Sequence, residues 1–205
     1  MKMKLTQVEN LVFEGGGAKG LGYPGALAEA EHHGLDLSRI KRVAGASAGA
    51  IQALFVALGC DTREMIRMVM DTDWSTFFDD EWGVLRDTAN LVSDFGWYPG
   101  KVPLAFFEDC VERMLGDHRA TFSDLWMDRD VELVVVVCDT STELPRLMGP
   151  RTTPNVAIAD AVRASMAIPV LFEPTEIDGR LYVDGGVSYN FPLTIFDEKG
   201  GKNRK

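Results

Sequence analysis

Arg42-Val43-Ala44-Gly45-Ala46-Ser47-Ala48-Gly49-Ala50-Ile51 joins a short strand-forming run, Arg42 to Ala44, to an apolar helix over Ala48 to Leu58 that stops at Gly59. Residues 45 to 49 fit G-x-S-x-G. A nucleophilic serine has to project from a tight strand-to-helix turn, so its neighbours must be small or lack a side chain. A helix starting at the serine also sets its positive dipole end where negative charge would develop. The same residues suit an ordinary small-residue turn that happens to contain serine; the strand-turn-helix setting favours the nucleophile.

The flanking sequence repeats that arrangement. Val8 to Phe13 reads as a buried strand, followed by a Gly-rich turn and a helix from Gly20 to His33, with Pro24 in its first turn and Gly34 as its stop. Thr62 to Met70 is an amphipathic helix capped by Asp61 or Thr62, and Val102 to Leu115 is another helix. Val131 to Cys138 is a β-rich run apolar on both faces, with Leu144 to Met148 as a neighbouring strand. Val156 to Met166 reads as a helix and Arg180 to Val183 as a last short strand. This alternation predicts an α/β fold: a single domain with a mostly parallel central sheet flanked by helices on both faces. The domain is expected to span 1–205, with its core at 8–196 and a loose polar tail at 197–205. An aromatic-rich excursion at 74–98 reads as a local mini-core, or else as cover over an apolar pocket or as a surface that touches lipid. Met65, Met68 and Met70 read as packing residues of one helix and its turn.

A length of 205 residues with 46% hydrophobic content suits one globular domain with a full core. The formal charge of −10 would repel nucleic acid except at a dense basic patch. The one basic cluster, Lys199, Lys202, Arg204 and Lys205, is short and Gly-diluted, so no nucleic-acid partner is expected. Cys60, Cys110 and Cys138 are far apart, odd in number and set among apolar residues. That pattern fits buried thiols in a reducing compartment, with neither a disulfide framework nor zinc spacing. No secretory signal and no run of membrane-span length is visible, so a cytoplasmic protein is expected, with signal-less export left open.

Glu14-Gly15-Gly16-Gly17-Ala18-Lys19-Gly20 occupies a second strand-to-helix turn, and residues 15 to 20 satisfy G-x-G-x-x-G. A dinucleotide site would need an acidic residue ending the second strand, about 20 residues on. Asp36 is near that spacing but precedes the strand. A phosphate loop would need Lys-Ser/Thr where Leu21 follows Gly20. Three glycines can instead turn backbone N–H groups towards an anion, an oxyanion hole at Gly15, Gly16 and Gly17. A serine nucleophile also needs a base. His32 and His33 end a helix, His118 sits in a turn, and no histidine occurs late in the chain where a Ser-Asp-His order would place it. Asp184 follows a short strand, and Gly185-Gly186 would let a sharp turn aim its carboxylate inward, although Asp-Gly is equally an ordinary β-turn pair. Asp139, at the end of the Val131 to Cys138 run, is a rival base; a strand-ending turn is its simpler account.

Together, Gly15-Gly16-Gly17-Ala18-Lys19-Gly20, Gly45-Ala46-Ser47-Ala48-Gly49 and Asp184-Gly185-Gly186 resemble, in order and context, the patatin-like phospholipase family. Ala164-Ser165-Met166-Ala167-Ile168-Pro169 and Asn190-Phe191-Pro192 also look like that family, and the resemblance spans residues 10 to 192. It implies a Ser-Asp dyad in which Ser47 attacks an ester carbonyl while Asp184 accepts its proton and returns it to the leaving alcohol. Gly15, Gly16 and Gly17 would stabilise the oxyanion, with Lys19 adding positive field or bracing the loop and Ala48 in support. Water would release the acyl group, and neither cofactor nor metal is implied. The implied substrate is a phospholipid or lysophospholipid, met through transient contact with a membrane interface. The charge of −10 makes that contact hydrophobic or partner-assisted. An activator and the oligomeric state stay open. So do an acyltransferase using the same dyad, a catalytically idle lipid-binding module, and a nucleotide-binding domain built on Gly15 to Gly20. Larger family members continue with further helices, whereas this chain ends in the polar stretch Asp197 to Lys205.

Overall fold

A computed structural model describes residues 5–77 and 96–197. The basic cluster at 199–205 and the middle of the aromatic excursion, with Phe78, Trp82 and Phe95, lie outside the described residues. The chain opens with β1 (Asn10–Phe13), a 3-10 turn at Gly17–Gly22, and α1 (Tyr23–His32), which Pro24 starts. Then come β2 (Arg42–Ala46), α2 (Ala48–Leu58) and α3 (Thr62–Asp71). The Asp61 side chain caps α3, accepting the Glu64 N–H at 2.7 Å. β3 (Gly96–Tyr98) leads into α4 (Lys101–Leu115), α5 (Phe122–Arg129), β4 (Glu132–Asp139) and β5 (Leu144–Met148). The chain continues through α6 (Ile158–Ser165), β6 (Val170–Phe172), β7 (Thr175–Ile177), β8 (Arg180–Asp184) and the short α7 (Gly186–Tyr189).

The α/β class holds, and the sheet is mixed. β1, β2 and β4 run parallel, with Phe13 opposite Gly45 and Ala46 opposite Val136. The pairings of β4 with β5, β4 with β8 and β7 with β8 are antiparallel. Connection length is the reason. A parallel neighbour needs a crossover of about a dozen residues or more, whereas four residues link β4 to β5 and two, Asp178-Gly179, link β7 to β8. Asp178 and Gly179 both have positive φ, 52° and 73°, as a tight primed hairpin turn requires. β5 is mostly exposed and carries Pro145, as an edge strand can.

β4 organises the site. β5 pairs with residues 135–139 and so takes one edge. β2 pairs with 132–136, and β8 takes over at 137–139. Both overlap β5 along β4, so both lie on the other edge, running towards each other and ending at neighbouring positions. β2 ends opposite Val136, and β8 ends with Asp184 opposite Val137.

α2 is buried almost throughout and packs on β1, β2 and β4. Val43, Leu133, Val135 and Val137 join it in the main core, together with Phe107 of α4, Phe122 and Leu125 of α5, and Ile158 and Val162 of α6. The alternate strand residues Ala44, Ala46, Val134 and Val136 are buried too, as strands covered on both sides require. α5 carries a capping box between Thr121 and Asp124, a start signal in the sequence that the reading above passes over. β3 and β6 form a separate two-stranded parallel sheet. The buried Arg163 guanidinium of α6 ties it down, donating to the carbonyls of Pro99 (3.0 Å), Gly100 (3.0 Å) and Glu173 (3.2 Å).

Candidate active site

The turn from β2 into α2 is sterically determined. A Cβ on Gly45 would overlap the Gly49 carbonyl, and one on Gly49 would overlap the carbonyl oxygens of Phe13 and Glu14. Helix α2 can therefore press against the ends of both parallel strands only if these two residues are glycine. Between them Ser47 is held at φ 53°, ψ −128°, a conformation that side-chain-bearing residues rarely adopt. Such backbone strain is kept only where the surroundings impose it, at about 1–3 kcal/mol per residue. Two hydrogen bonds impose it here. The Ser47 N–H donates to Ser165 Oγ at 2.9 Å, and Ser165 Oγ–H donates to the Val136 carbonyl at 2.6 Å.

The Ser47 hydroxyl donates to Asp184 Oδ2 at 2.6 Å, across 137 residues of sequence. Asp184 Oδ1 accepts the Gly186 N–H at 2.6 Å, which leaves Oδ2 facing the serine. Both residues are nearly closed to solvent, at 7% and 5% exposure. Burial pushes the Asp184 carboxyl above its ordinary value, and the bonds from Ser47 and the Gly186 N–H pull it partly back.

Asp139 stands elsewhere, two positions further along β4, opposite Tyr182. Its Oδ1 accepts the Ser141 N–H at 2.9 Å and its Oδ2 accepts from Arg180 at 3.0 Å. Those bonds, the Ser141 N–H first, hold its carboxyl below the usual range despite burial. His33 pairs on the surface with Glu29, and His118 is exposed beside Asp117. Asp36 accepts from the N–H and hydroxyl of Ser38, at 3.1 and 2.6 Å, and so is taken up within its own loop. Among the described residues no three His, Cys, Asp or Glu side chains come together as a metal-binding group.

The Gly-rich loop lies beside Ser47, and its three glycines are not equivalent. Gly15, Gly16 and Gly17 line one cleft together with Ser47, Asp184 and Asn190. The Gly15 N–H, however, donates to the Asn190 carbonyl at 3.0 Å, so it is not free to bind an anion. Of the three glycines expected to form an oxyanion hole, Gly15 thus has its N–H engaged by Asn190. Gly15 is glycine because a Cβ there would strike Asn190 Oδ1 and come within 3.0 Å of Ser47 Cβ. The Asn190 side chain clamps the same loop, donating to the Gly15 carbonyl at 3.0 Å and to Glu14 Oε1 at 3.1 Å. Lys19 is exposed, and its backbone N–H donates to the Gly16 carbonyl at 3.1 Å within the 3-10 turn. Ala48, the first residue of α2, lines an adjoining apolar cavity of about 200 Å3. Gly17, Ser47 and Ile168 border both spaces, so the serine stands between the cleft and the apolar cavity. Trp74 and Phe77 both line that cavity and pack against Phe106, so this part of the aromatic excursion is core and pocket wall at once.

Ser165 and Asn190 are the positioning residues that motif reading does not assign, although both lie in segments it quotes. Ser165→Ala would leave the buried Ser47 N–H without its partner and take one hydrogen bond from the Val136 carbonyl. The expected loss is about 1–3 kcal/mol of stability by urea unfolding, with kcat falling and KM little changed. An unchanged kcat would show that the Ser165 bond does not position the serine.

The chain matches the model of a family described as Patatin-like phospholipase over residues 11–197. It is 30% identical over 201 residues to an uncharacterised protein of Acanthamoeba polyphaga mimivirus, covering 96% of this chain and 64% of that one. It is 23% identical over 203 residues to the "Probable lipid hydrolase" of Invertebrate iridescent virus 6, covering 99% of this chain and 68% of that one. The chain thus spans about two thirds of the length of these relatives. Among solved structures it resembles VipD from Legionella pneumophila, with a TM-score of 0.65 at 23% identity over 95% of this chain and 47% of that one, a likeness of fold.

Proposed function

The chain belongs to the patatin-like phospholipase family, and from that premise we propose that it hydrolyses fatty acyl esters of phospholipids or lysophospholipids with Ser47 and Asp184 as a catalytic dyad. The observation that carries the reading is the 2.6 Å hydrogen bond from Ser47 Oγ to Asp184 Oδ2 at the mouth of an apolar cavity. Asp184 Oδ2 takes the hydroxyl proton as Oγ bonds to the ester carbonyl carbon, and the carbonyl electron pair moves onto oxygen. The tetrahedral intermediate collapses, and the leaving alcohol takes the proton from Asp184. A water then gives its proton to Asp184 and attacks the acyl-serine; the fatty acid departs as the proton returns to Ser47 Oγ. A carboxylate can serve directly as base because burial strengthens it, while Gly186 fixes which oxygen faces the serine.

The oxyanion donors in this reading are the N–H groups of Gly16 and Gly17 on one side and of Ala48 on the other, at the positive end of the α2 dipole. The Gly15 and Ser47 N–H groups are already bonded. The apolar cavity would take the acyl chain, and the leaving group would lie in the cleft beside Asp184 and Asn190. Around the cleft, Ile168 and Val187 are exposed, and the exposed Val170 and Leu171 follow Ile168 at the start of β6, an apolar rim suited to transient contact with a lipid interface. No helix among the described residues is long and apolar enough to cross a membrane. A reducing, cytoplasmic setting suits the three buried free cysteines, and burial pushes the thiols of Cys60 and Cys110 to about 12 and about 11.

The test is fatty-acid release from mixed micelles of phospholipid and lysophospholipid, with fluorophosphonate labelling in parallel. Release together with labelling at Ser47 is the expected result, and the lipid consumed identifies the substrate. Transfer of the acyl group to an added alcohol in preference to water would make the protein an acyltransferase. Neither labelling nor release would overturn the dyad and leave a lipid-binding module.

A further inference from the structure

Helix α2 is apolar or small along its length except at one position, Gln52. Its side chain is buried, at 3% exposure, in the wall of the apolar cavity that opens on Ser47. Gln52 Nε2 donates to Met65 Sδ at 3.1 Å, and a thioether is a weak acceptor. Among the described residues nothing else hydrogen-bonds this carboxamide, so within that set its oxygen and second N–H have no partner. The same cavity is also lined by Ile51, Phe55, Val69, Trp74 and Phe77. The indole N–H of Trp74 is already committed to the Val69 carbonyl at 2.9 Å. A cavity meant only for a saturated hydrocarbon chain would be better lined by leucine or methionine here, since an amide facing apolar space with so few partners is unfavourable.

We propose that Gln52 is a specificity residue that selects acyl chains carrying a hydroxyl group in mid-chain. The inference rests on the reading of Ser47 and Asp184 as an acyl-ester hydrolase. A chain hydroxyl can donate to the carboxamide oxygen or accept from its N–H, so it is matched whichever way the amide is turned. A hydroxyl entering a wholly apolar pocket would lose its bonds to water without return; at Gln52 it recovers one. Gln52 lies five residues beyond Ser47 on α2, about 7.5 Å along the helix axis. The matched hydroxyl therefore stands several carbons from the ester carbonyl.

The experiment compares stearoyl lysophosphatidylcholine with the same lipid bearing one hydroxyl at carbon 6, 8, 10 or 12. Each is turned over by the wild-type chain and by Gln52→Leu, and the readout is the hydroxystearoyl-to-stearoyl ratio of kcat/KM within each protein. The wild type is expected to favour at least one hydroxy isomer by about 3- to 10-fold, and Gln52→Leu to abolish that preference. Gln52→Met, close in length and shape, serves the same comparison if the leucine variant fails to fold. Equal turnover of all isomers by the wild type, or a preference that survives both substitutions, overturns the proposal. Calorimetric titration with stearate and the hydroxystearates separates pocket from chemistry. A Gln52-dependent preference in binding without any turnover upholds the pocket and sinks the hydrolase reading; turnover with no preference in either assay does the reverse.

Discussion

Ser47→Ala is expected to lower fatty-acid release by about ten-thousand-fold or more, with the fold intact. Among the described residues no other hydroxyl hydrogen-bonds Asp184 Oδ2, and losing a nucleophile removes the acyl-enzyme route altogether. Alanine keeps a Cβ at φ 53°, so it retains the backbone strain of the native turn. Ser47→Gly removes the nucleophile and the strain together. It should therefore be equally inactive yet more stable than Ser47→Ala, by about 1 kcal/mol, on urea unfolding. Two dead variants that differ in stability would separate the chemical role of the hydroxyl from the conformational demand of the turn. Residual release above about 1% in either variant would point to another nucleophile.

Asp184→Asn is expected to reduce kcat by about ten-thousand-fold, because an amide presents a similar shape without accepting the proton. Asp139→Asn should leave turnover nearly unchanged, since Asp139 is bonded to Ser141 and Arg180 and not to the serine. Full activity in Asp184→Asn would transfer the role of base. The raised pKa of Asp184 also sets a pH profile. The dyad needs the carboxylate, so kcat/KM should rise with pH through a midpoint above the ordinary 3.8. Stability runs the opposite way. The folded protein holds this proton more tightly than the unfolded chain, so the group's stabilising contribution is full below the unfolded pKa and is lost as pH rises through the folded one. Asparagine never ionises. The inactive variant should therefore be at least as stable as the wild type at pH 7, a gain in stability that accompanies loss of function at a strained site. A lower melting temperature for Asp184→Asn at that pH would contradict the burial argument.

The elements legible in sequence were those whose signals are local. α2 spans the predicted residues from Ala48 to Leu58, because a continuous apolar run between a glycine-flanked serine and Gly59 admits little else. β5 likewise spans Leu144 to Met148 as read. Boundaries shifted where two signals compete: Gly17–Gly22 winds as a 3-10 turn before Pro24 starts α1, because glycines favour the tighter turn over a regular helix. The three-residue strands β3, β6 and β7 were missed, being too short to show alternation. The expected parallel majority of the sheet was an inference from alternating elements; the Asp178-Gly179 hairpin signal that argues against it is present in the sequence.

By itself the sequence determined the three turns that approach one another, since each depends on residues within a few positions: small side chains around Ser47, glycines after β1, and Asp184 ahead of two glycines. Tertiary structure alone decided that Ser47 and Asp184 touch. That contact depends on β5 occupying one edge of β4, which forces β2 and β8 to meet end to end on the other. Tertiary structure also decided the partners of the Gly15 and Ser47 N–H groups, the Asn190 carbonyl and Ser165 Oγ. Sterics and hydrogen bonds within a turn are written in adjacent residues. The partner of a buried N–H more than a hundred residues away is settled only by strand register, which is a property of the whole sheet.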